Sequence, residues 1–380
     1  MQLMSSALNG LCPYPIVQAP MAGGGSCPPL AAAVSAAGGL GFLAGGYKTA
    51  DGMYQEIKLL RGLTRRPFGV NLFMPQTAQV DPAAVEAYRG QLAGEASWYE
   101  VSLADDDIVG TSDDGYDAKL AILTEDPVPV VSFTFGCPSP EALGRLRAAG
   151  TRTVVTVTSV EEARAAQAAG ADILCVQGIE AGGHQGTHRD DPEADFTGVG
   201  LLSLVGQVRE AVALPIVAAG GLMRGSQIAG VLAAGADAAQ LGTAFLACPE
   251  SGAHALHKKA LTDPLFVRTE LTRAFSGRPA RGLVNRFMRE HGPYAPAAYP
   301  AVHHLTSGLR KAAAAAGDPQ GMALWAGQGH RLARSVPAGQ LVEVLAAELA
   351  EAQCALRTHN TQDTQGRQGR QDTDNSRSAS

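Results

Sequence analysis

The residues best suited to chemistry are gathered in one short run, Gly178-Ile-Glu-Ala-Gly-Gly-His-Gln-Gly186, which follows Asp172-Ile-Leu-Cys-Val176 and Gln177. It holds one histidine, His184, among four glycines in nine positions. Glycine loses more backbone entropy on folding than any other residue, so this density implies unusual φ values or backbone brought close to a bound group. Histidine is the side chain that exchanges protons near neutral pH. The alternative is a flexible turn with an incidental histidine. His188 lies four residues on, with Asp190, Asp191 and Glu193 nearby. Two metal ligands at that spacing need a helix, which Gly182, Gly183 and Gly186 oppose, so no metal site is expected.

The elements that must position this loop follow from the apolar pattern. Short β-branched runs start near 15, 40, 68, 129, 153, 172, 214 and 237, and they are apolar throughout instead of alternating. Strands of that kind are covered on both faces. Helical stretches at 28–37, 49–62, 139–149, 159–169, 200–212 and 224–234 separate them, which predicts βα units and a parallel sheet. Eight strands predict a closed (β/α)8 TIM barrel over 1–247. Ala-Ala-Gly-Ala-Asp recurs at 168–172 and 233–237, with Gly170 and Gly235 suited to left-handed helix caps. A doubly wound open sheet is the alternative, but it lacks G-x-G-x-x-G after its first strand.

Two segments break the rhythm. Residues 76–127 carry a helix at 82–94 and an acidic stretch, Asp105–Asp107 with Asp113 and Asp114, read as a solvated excursion on the barrel rim. Residues 248–315 read as a smaller helical subdomain covering the barrel mouth. Residues 316–356 read as C-terminal helix returning to the barrel through Leu341, Val344, Leu345 and Leu349, and 357–380, almost free of apolar residues, as a disordered tail.

Composition narrows the class. The chain has 380 residues, 46% hydrophobic and 17% charged, with a formal charge of −6. No basic cluster suggests a nucleic-acid surface, and no apolar run approaches the ~20 residues that span a bilayer. The six cysteines form no C-x-x-C pair, so reduced thiols in a cytoplasmic protein are expected, without a signal peptide.

In a barrel, function sits at the carboxyl ends of the strands. There lie Met21 with Gly23–Gly25, the amide Asn71 in an apolar strand, Gln177 and the His184 loop, Gly220-Gly221, and Gln240-Leu241-Gly242-Thr243. Loops after the seventh and eighth barrel strands often bind phosphate through backbone N–H groups, although paired glycines there also make tight corners. A phosphate at that end, with amides further round the mouth, suits a ligand that is phosphorylated at one end and planar and hydrogen-bonding at the other. FMN meets both conditions; a sugar phosphate meets the first only. A flavin would also account for the lack of an obvious nucleophile, acid pair or metal cage.

Gln18-Ala-Pro-Met-Ala-Gly23, Gly69-Val-Asn-Leu-Phe73, the Gly178–Gly186 loop, Ala218-Ala-Gly-Gly221 and Gln240-Leu-Gly-Thr243 resemble the nitronate monooxygenase family, formerly called 2-nitropropane dioxygenase. Thr272-Arg-Ala-Phe-Ser-Gly-Arg-Pro-Ala-Arg281 with Asn285, Leu309–Ala314 and Leu324-Trp-Ala-Gly-Gln-Gly329 extend the likeness towards the family's first, nitronate-oxidising class. The resemblance implies oxidation of alkyl nitronates, with propionate 3-nitronate the expected substrate, by O2 to a carbonyl compound and nitrite or nitrate. It further implies FMN held by Met21, Asn71, Gln177, Gly182, Gly220, Gly221 and Gln240–Thr243. His184 would be catalytic, as general base on a neutral nitroalkane or by positioning and charge stabilisation for a nitronate. Lys311, Tyr299 and His303 would meet the anionic substrate. The alternative is an FMN-dependent NAD(P)H reductase of quinones or enoyl thioesters on the same fold.

Overall fold

A computed structural model of the chain describes residues 10–76, 80–103, 113–192 and 197–355. Eight short strands form one parallel sheet: β1 (Ile16–Gln18), β2 (Gly41–Ala44), β3 (Phe68–Phe73), β4 (Val130–Thr134), β5 (Arg152–Val157), β6 (Ile173–Gln177), β8 (Ile216–Ala219) and β9 (Ala238–Leu241). Their order is β1-β9-β8-β6-β5-β4-β3-β2. A parallel bridge between Val17 and Leu40 joins the ends, with Leu40 N–H donating to Ile16 O at 2.9 Å and Gln18 N–H to Leu40 O at 2.9 Å. The (β/α)8 barrel is thereby closed, and no open edge is left to pair elsewhere.

Strand parity explains both faces of the apolar runs. Outward residues such as Ile16, Leu43, Val70, Val131, Val155, Leu174 and Ile216 share one buried cluster with the surrounding helices. Inward residues Val17, Phe42, Val130, Val154, Ile173, Val217 and Ala238 fill the barrel interior in another. Gly69 is inward too, and a Cβ there would come within 2.2 Å of the Phe42 ring. Two residues further along the same inward parity the chemistry changes: Asn71, Thr156, Cys175 and Gln240 take over, with Thr134 and Gln177 at the strand ends. The plug is apolar and the mouth more polar because β3, β4, β5, β6 and β9 switch residue type along their inward face.

The helices stop where local chemistry requires. Thr49, Ser139 and Ser159 accept the N–H of Gly52, Ala142 and Glu162 at their helix starts. Gly170 and Gly235 take φ of +92° and +108° at the ends of Val160–Ala169 and Gly225–Ala233, as their repeated pentapeptide predicts.

The unit over the mouth is not purely helical. It contains a three-stranded antiparallel sheet of β10 (Thr269–Thr272), β11 (Ala280–Leu283) and β7 (Gly183–His184), so the glycine loop itself supplies an edge strand. Those strands are short, and residues 273–279 between them carry no two-residue hairpin turn, which removes the usual local signal. The helices Pro82–Gln91 and Ala93–Trp98 belong to the same unit. Val85, Tyr88 and Leu92 pack with Phe275, Phe287 and Val302, and Tyr88 Oη donates to Ala274 O at 2.7 Å. The rim excursion is thus partly a wall of the cover.

Of the described residues after 316, 338–355 forms the α-helix, while Pro319–Gly321 and His330–Leu332 are single 3-10 turns. Leu324 O accepts Leu283 N–H at 2.8 Å, Trp325 bridges Gly282, and Ala326 N–H donates to Arg281 O at 3.2 Å. Gly327, Gly329 and Pro337 disfavour continuous helix before that point. Ala338, Leu341, Val342, Leu345 and Leu349 return the helix to the barrel core, while Val344 is half-buried. The tail from 357 and Asp105–Asp107 lie outside the described residues. Among those described, no helix is long and apolar enough to cross a membrane.

Candidate active site

A cavity of about 350 Å3 opens at the carboxyl ends of the strands, within the range of small-molecule sites. Asn71 points into it from β3, its Nδ2 donating to Ser132 Oγ at 2.9 Å and Thr134 Oγ1 at 3.1 Å. Gln240 lines it from β9 and donates to Cys175 Sγ at 3.3 Å. Gln177 closes β6 and grips the glycine loop from both sides: Nε2 donates to His184 O at 3.1 Å and Oε1 accepts Gly186 N–H at 2.7 Å. These neighbours orient three amides around one mouth.

Glycines form the part of the lining that adjoins Gln177 and Gln240. Gly220 and Gly221 sit at φ +138° and +68° after β8, where side chains are disfavoured. Gly242 and Thr243 begin the helix Thr243–Leu246, so their N–H groups have no intrahelical acceptor. Thr243 Oγ1 accepts Gly327 N–H at 2.9 Å and keeps its own proton to give. Gly182 is needed for a different reason: a Cβ there would lie 2.4 Å from Gly327 N. Met21 lines the cavity, whereas the Leu241 side chain is buried in the outer core and contributes only backbone, its carbonyl accepting Ala19 N–H at 2.9 Å.

His184 is carried on β7 through its pairing with Ala280 of β11. Its Nε2 lies 2.8 Å from Ser276 Oγ. Phe135, Tyr299 and Trp325 enclose the ring at centroid distances of 5.8, 5.8 and 5.5 Å. Burial, then the charges of Arg278 and Arg310, push its pKa down to about 3, so the ring is neutral at neutral pH. His188 does not join it: its Nε2–H donates to Thr156 O at 2.9 Å, and Asp190 pairs with Arg273 at 2.8 Å. Glu193 lies outside the described residues.

The covering helix Ala301–Ala315 supplies the remaining wall. His303 stacks on Tyr47 with centroids 4.2 Å apart and planes 4° from parallel. Tyr299 stands just behind, donating to Tyr47 Oη at 3.3 Å. Arg310 lines the cavity, donating to His303 O at 2.8 Å and Thr306 Oγ1 at 3.2 Å. Among the described residues no carboxylate pairs with it, and none of the lining residues is Asp or Glu. Lys311 is exposed and is not part of the lining.

The chain matches the nitronate monooxygenase family over residues 5–348. It is 44% identical over 342 residues to a nitronate monooxygenase of Pseudomonas aeruginosa, covering 88% of this chain and 96% of that one. A nitronate monooxygenase of Paraburkholderia phytofirmans is 41% identical over 350 residues, covering 90% and 94%. The chain belongs to the nitronate monooxygenase family. Among solved structures it is similar to a nitroalkane oxidase from Streptomyces ansochromogenes, 74% identical, with a TM-score of 0.90 over 92% of this chain and all of that one. FabK from Thermotoga maritima shares the fold more distantly, at 30% identity and a TM-score of 0.70 over 93% and 98%. The protein is an oxidoreductase.

Against this family background, sequence reasoning missed Tyr47, Ser276, Trp325 and Arg310. Arg310 lies seven residues from His303, two helical turns, whereas Lys311 at eight falls further round the helix. Tyr47 follows the end of β2, a position a barrel makes functional. Ser276 and Trp325 lie in stretches that carry the family likeness, but no local pattern puts them at the mouth, since the cover's sheet brings them in.

Proposed function

We propose that the protein binds FMN and oxidises alkyl nitronates with O2 to a carbonyl compound and nitrite or nitrate. The observation that carries this reading is a single cavity that unites neutral His184, three amides, a glycine cradle and the carboxylate-free cation Arg310. The residues fit FMN. Gly220, Gly221, Gly242 and Thr243 would take its phosphate, while Asn71, Gln177 and Gln240 would meet the polar ring edge beside Met21. When bound, FMN would supply the redox chemistry, accepting electrons from substrate and returning them to O2.

The chain's own residues would do the rest. With no acid in the lining, nothing repels a nitronate, and Arg310 can give it a charge-assisted hydrogen bond. A nitronate needs no deprotonation, so His184 can position it while remaining neutral. A neutral nitroalkane must lose its α-proton first, and a ring held near pKa 3 is a weak base for that. An anion seated between His184 and Arg310 offsets the arginine charge and raises the ring's proton affinity. The likeness to a nitroalkane oxidase keeps nitroalkanes as a second substrate class.

The test is anaerobic mixing of the FMN-loaded protein with ethylnitronate, propionate 3-nitronate, nitroethane and NADH in turn. Rapid flavin bleaching by a nitronate, with none by NADH, is the expected result. Bleaching by NADH alone would replace this reading with that of an NAD(P)H reductase of quinones or enoyl thioesters.

A further inference from the structure

Three parts of the chain converge on Tyr47: the loop after β2, the excursion after β3, and the covering helix. Tyr47 has φ of +63°, a left-handed backbone that non-glycine residues rarely adopt, and Asp114 facing it has φ of +53°. Tyr47 N–H donates to Asp114 Oδ1 at 2.9 Å. The other oxygen of that carboxylate accepts Lys119 Nζ at 2.7 Å, and the Lys119 side chain is only 1% exposed. A cation buried so deeply requires a partner, and the partner it holds is the one that grips Tyr47. The hydrogen bond is charge-assisted, the kind best able to offset a strained backbone. On its other side Tyr47 meets Phe73 edge-on at 5.3 Å and His303 face-on at 4.2 Å. The preceding turn is tight, since a Cβ on Gly46 would come within 2.3 Å of the Phe73 ring.

We propose that Asp114, fixed by Lys119, is a positioning residue of the substrate wall, holding Tyr47 in the backbone conformation that stacks its ring on His303 beside Arg310. The acidic residue that reads in sequence as solvated rim becomes the anchor of the seam between barrel and cover. Its effect on turnover rests on the nitronate reading above, whereas its effect on Tyr47 does not.

The experiment compares Asp114→Ala, Asp114→Asn and Asp114→Glu with wild type, by amide hydrogen exchange at Tyr47 and by oxygen uptake with ethylnitronate. Asp114→Ala removes the acceptor. Exchange at Tyr47 should accelerate at least about tenfold, and KM should rise about tenfold with kcat within about twofold. Asp114→Asn keeps an oxygen for the N–H but leaves buried Lys119 without its counter-charge, so it should recover only part of both losses. Asp114→Glu keeps the charge beside Lys119 but displaces the acceptor, so it should resemble the alanine variant and decides the matter if that variant does not fold. Wild-type exchange and KM in Asp114→Ala, or a lowered melting temperature with unchanged KM, would overturn the proposal. Absence of nitronate turnover in wild type would sink the functional reading, while exchange at Tyr47 would still decide the anchor.

Discussion

His184 Nε2 and Ser276 Oγ stand 2.8 Å apart, linking the glycine loop to the segment before β11. Ser276 Oγ also lies 3.2 Å from Arg278 O, which can take the hydroxyl proton. The serine oxygen then accepts the ring's Nε2–H, leaving Nδ1 as a lone pair. On the proposed function, His184→Asn should lower kcat/KM for neutral nitroethane by about 100-fold or more, the usual scale of lost general-base catalysis. Ser276→Ala should lower it about tenfold through the tautomer. Both should affect ethylnitronate less, because no proton need be removed. Oxygen-electrode rates with the two substrates check this, and equal losses on both would refute a proton-transfer role.

The cation facing the substrate is expected to be Arg310. A hydrogen bond to a charged group contributes about 1.5–3 kcal/mol, so Arg310→Gln should raise KM for a nitronate by roughly 10- to 150-fold. Lys311→Gln, at an exposed position outside the cavity, should stay within about twofold of wild type. Steady-state kinetics on the pair distinguish the neighbours.

Acid should weaken the fold earlier than carboxylate protonation alone would. Burial pushes His184 down to about 3, His303 to about 2 and His257 to about 4, from an ordinary 6.5. Below pH 6.5 the unfolded chain therefore binds protons that the folded one refuses, and stability falls as pH falls towards those values. Each ring removes up to about 1.4 kcal/mol per pH unit across its window. Urea melts at pH 7.5, 6.5, 5.5 and 4.5 should show a progressively lower midpoint below 6.5. A flat midpoint from 7.5 to 4.5 would contradict neutral histidines.

Gly182→Ala tests the seam between the loop and the 326–327 segment. The added Cβ would meet Gly327 N at 2.4 Å and Ala326 C at 2.5 Å, backbone atoms that cannot step aside. A loss of about 1–3 kcal/mol in stability is expected from overpacking. FMN should also be retained less well on dialysis, since the displaced loop carries His184 and is gripped by Gln177. Thermal melts and flavin absorbance after dialysis measure the two effects separately.

Much of the fold is legible in the sequence because barrel strands are short, buried on both faces and separated by helices. Starts expected near 15, 40, 68, 129, 153, 172, 214 and 237 lie within two residues of the observed strands. Periodicity and glycine caps are local, and local rules determined them. The same logic brought Asn71, Gln177, His184 and the two glycine pairs to one end, since a residue at a strand's carboxyl end has nowhere else to be in a barrel.

Other features of the site depend on contacts between distant segments. The cover's sheet pairs β7 with β11 across about a hundred residues, and that pairing sets His184 against Ser276. Whether Arg310 or Lys311 faces the cavity depends on how one helix is rotated by its packing against Val85 and Phe275. Asp114 reads as solvated until Lys119 and Tyr47 close around it. The barrel and the ring of candidate groups at its mouth follow from local sequence, because strand parity and helix caps act over a few residues. The cavity wall under the cover follows from long-range packing, for which no local pattern is required.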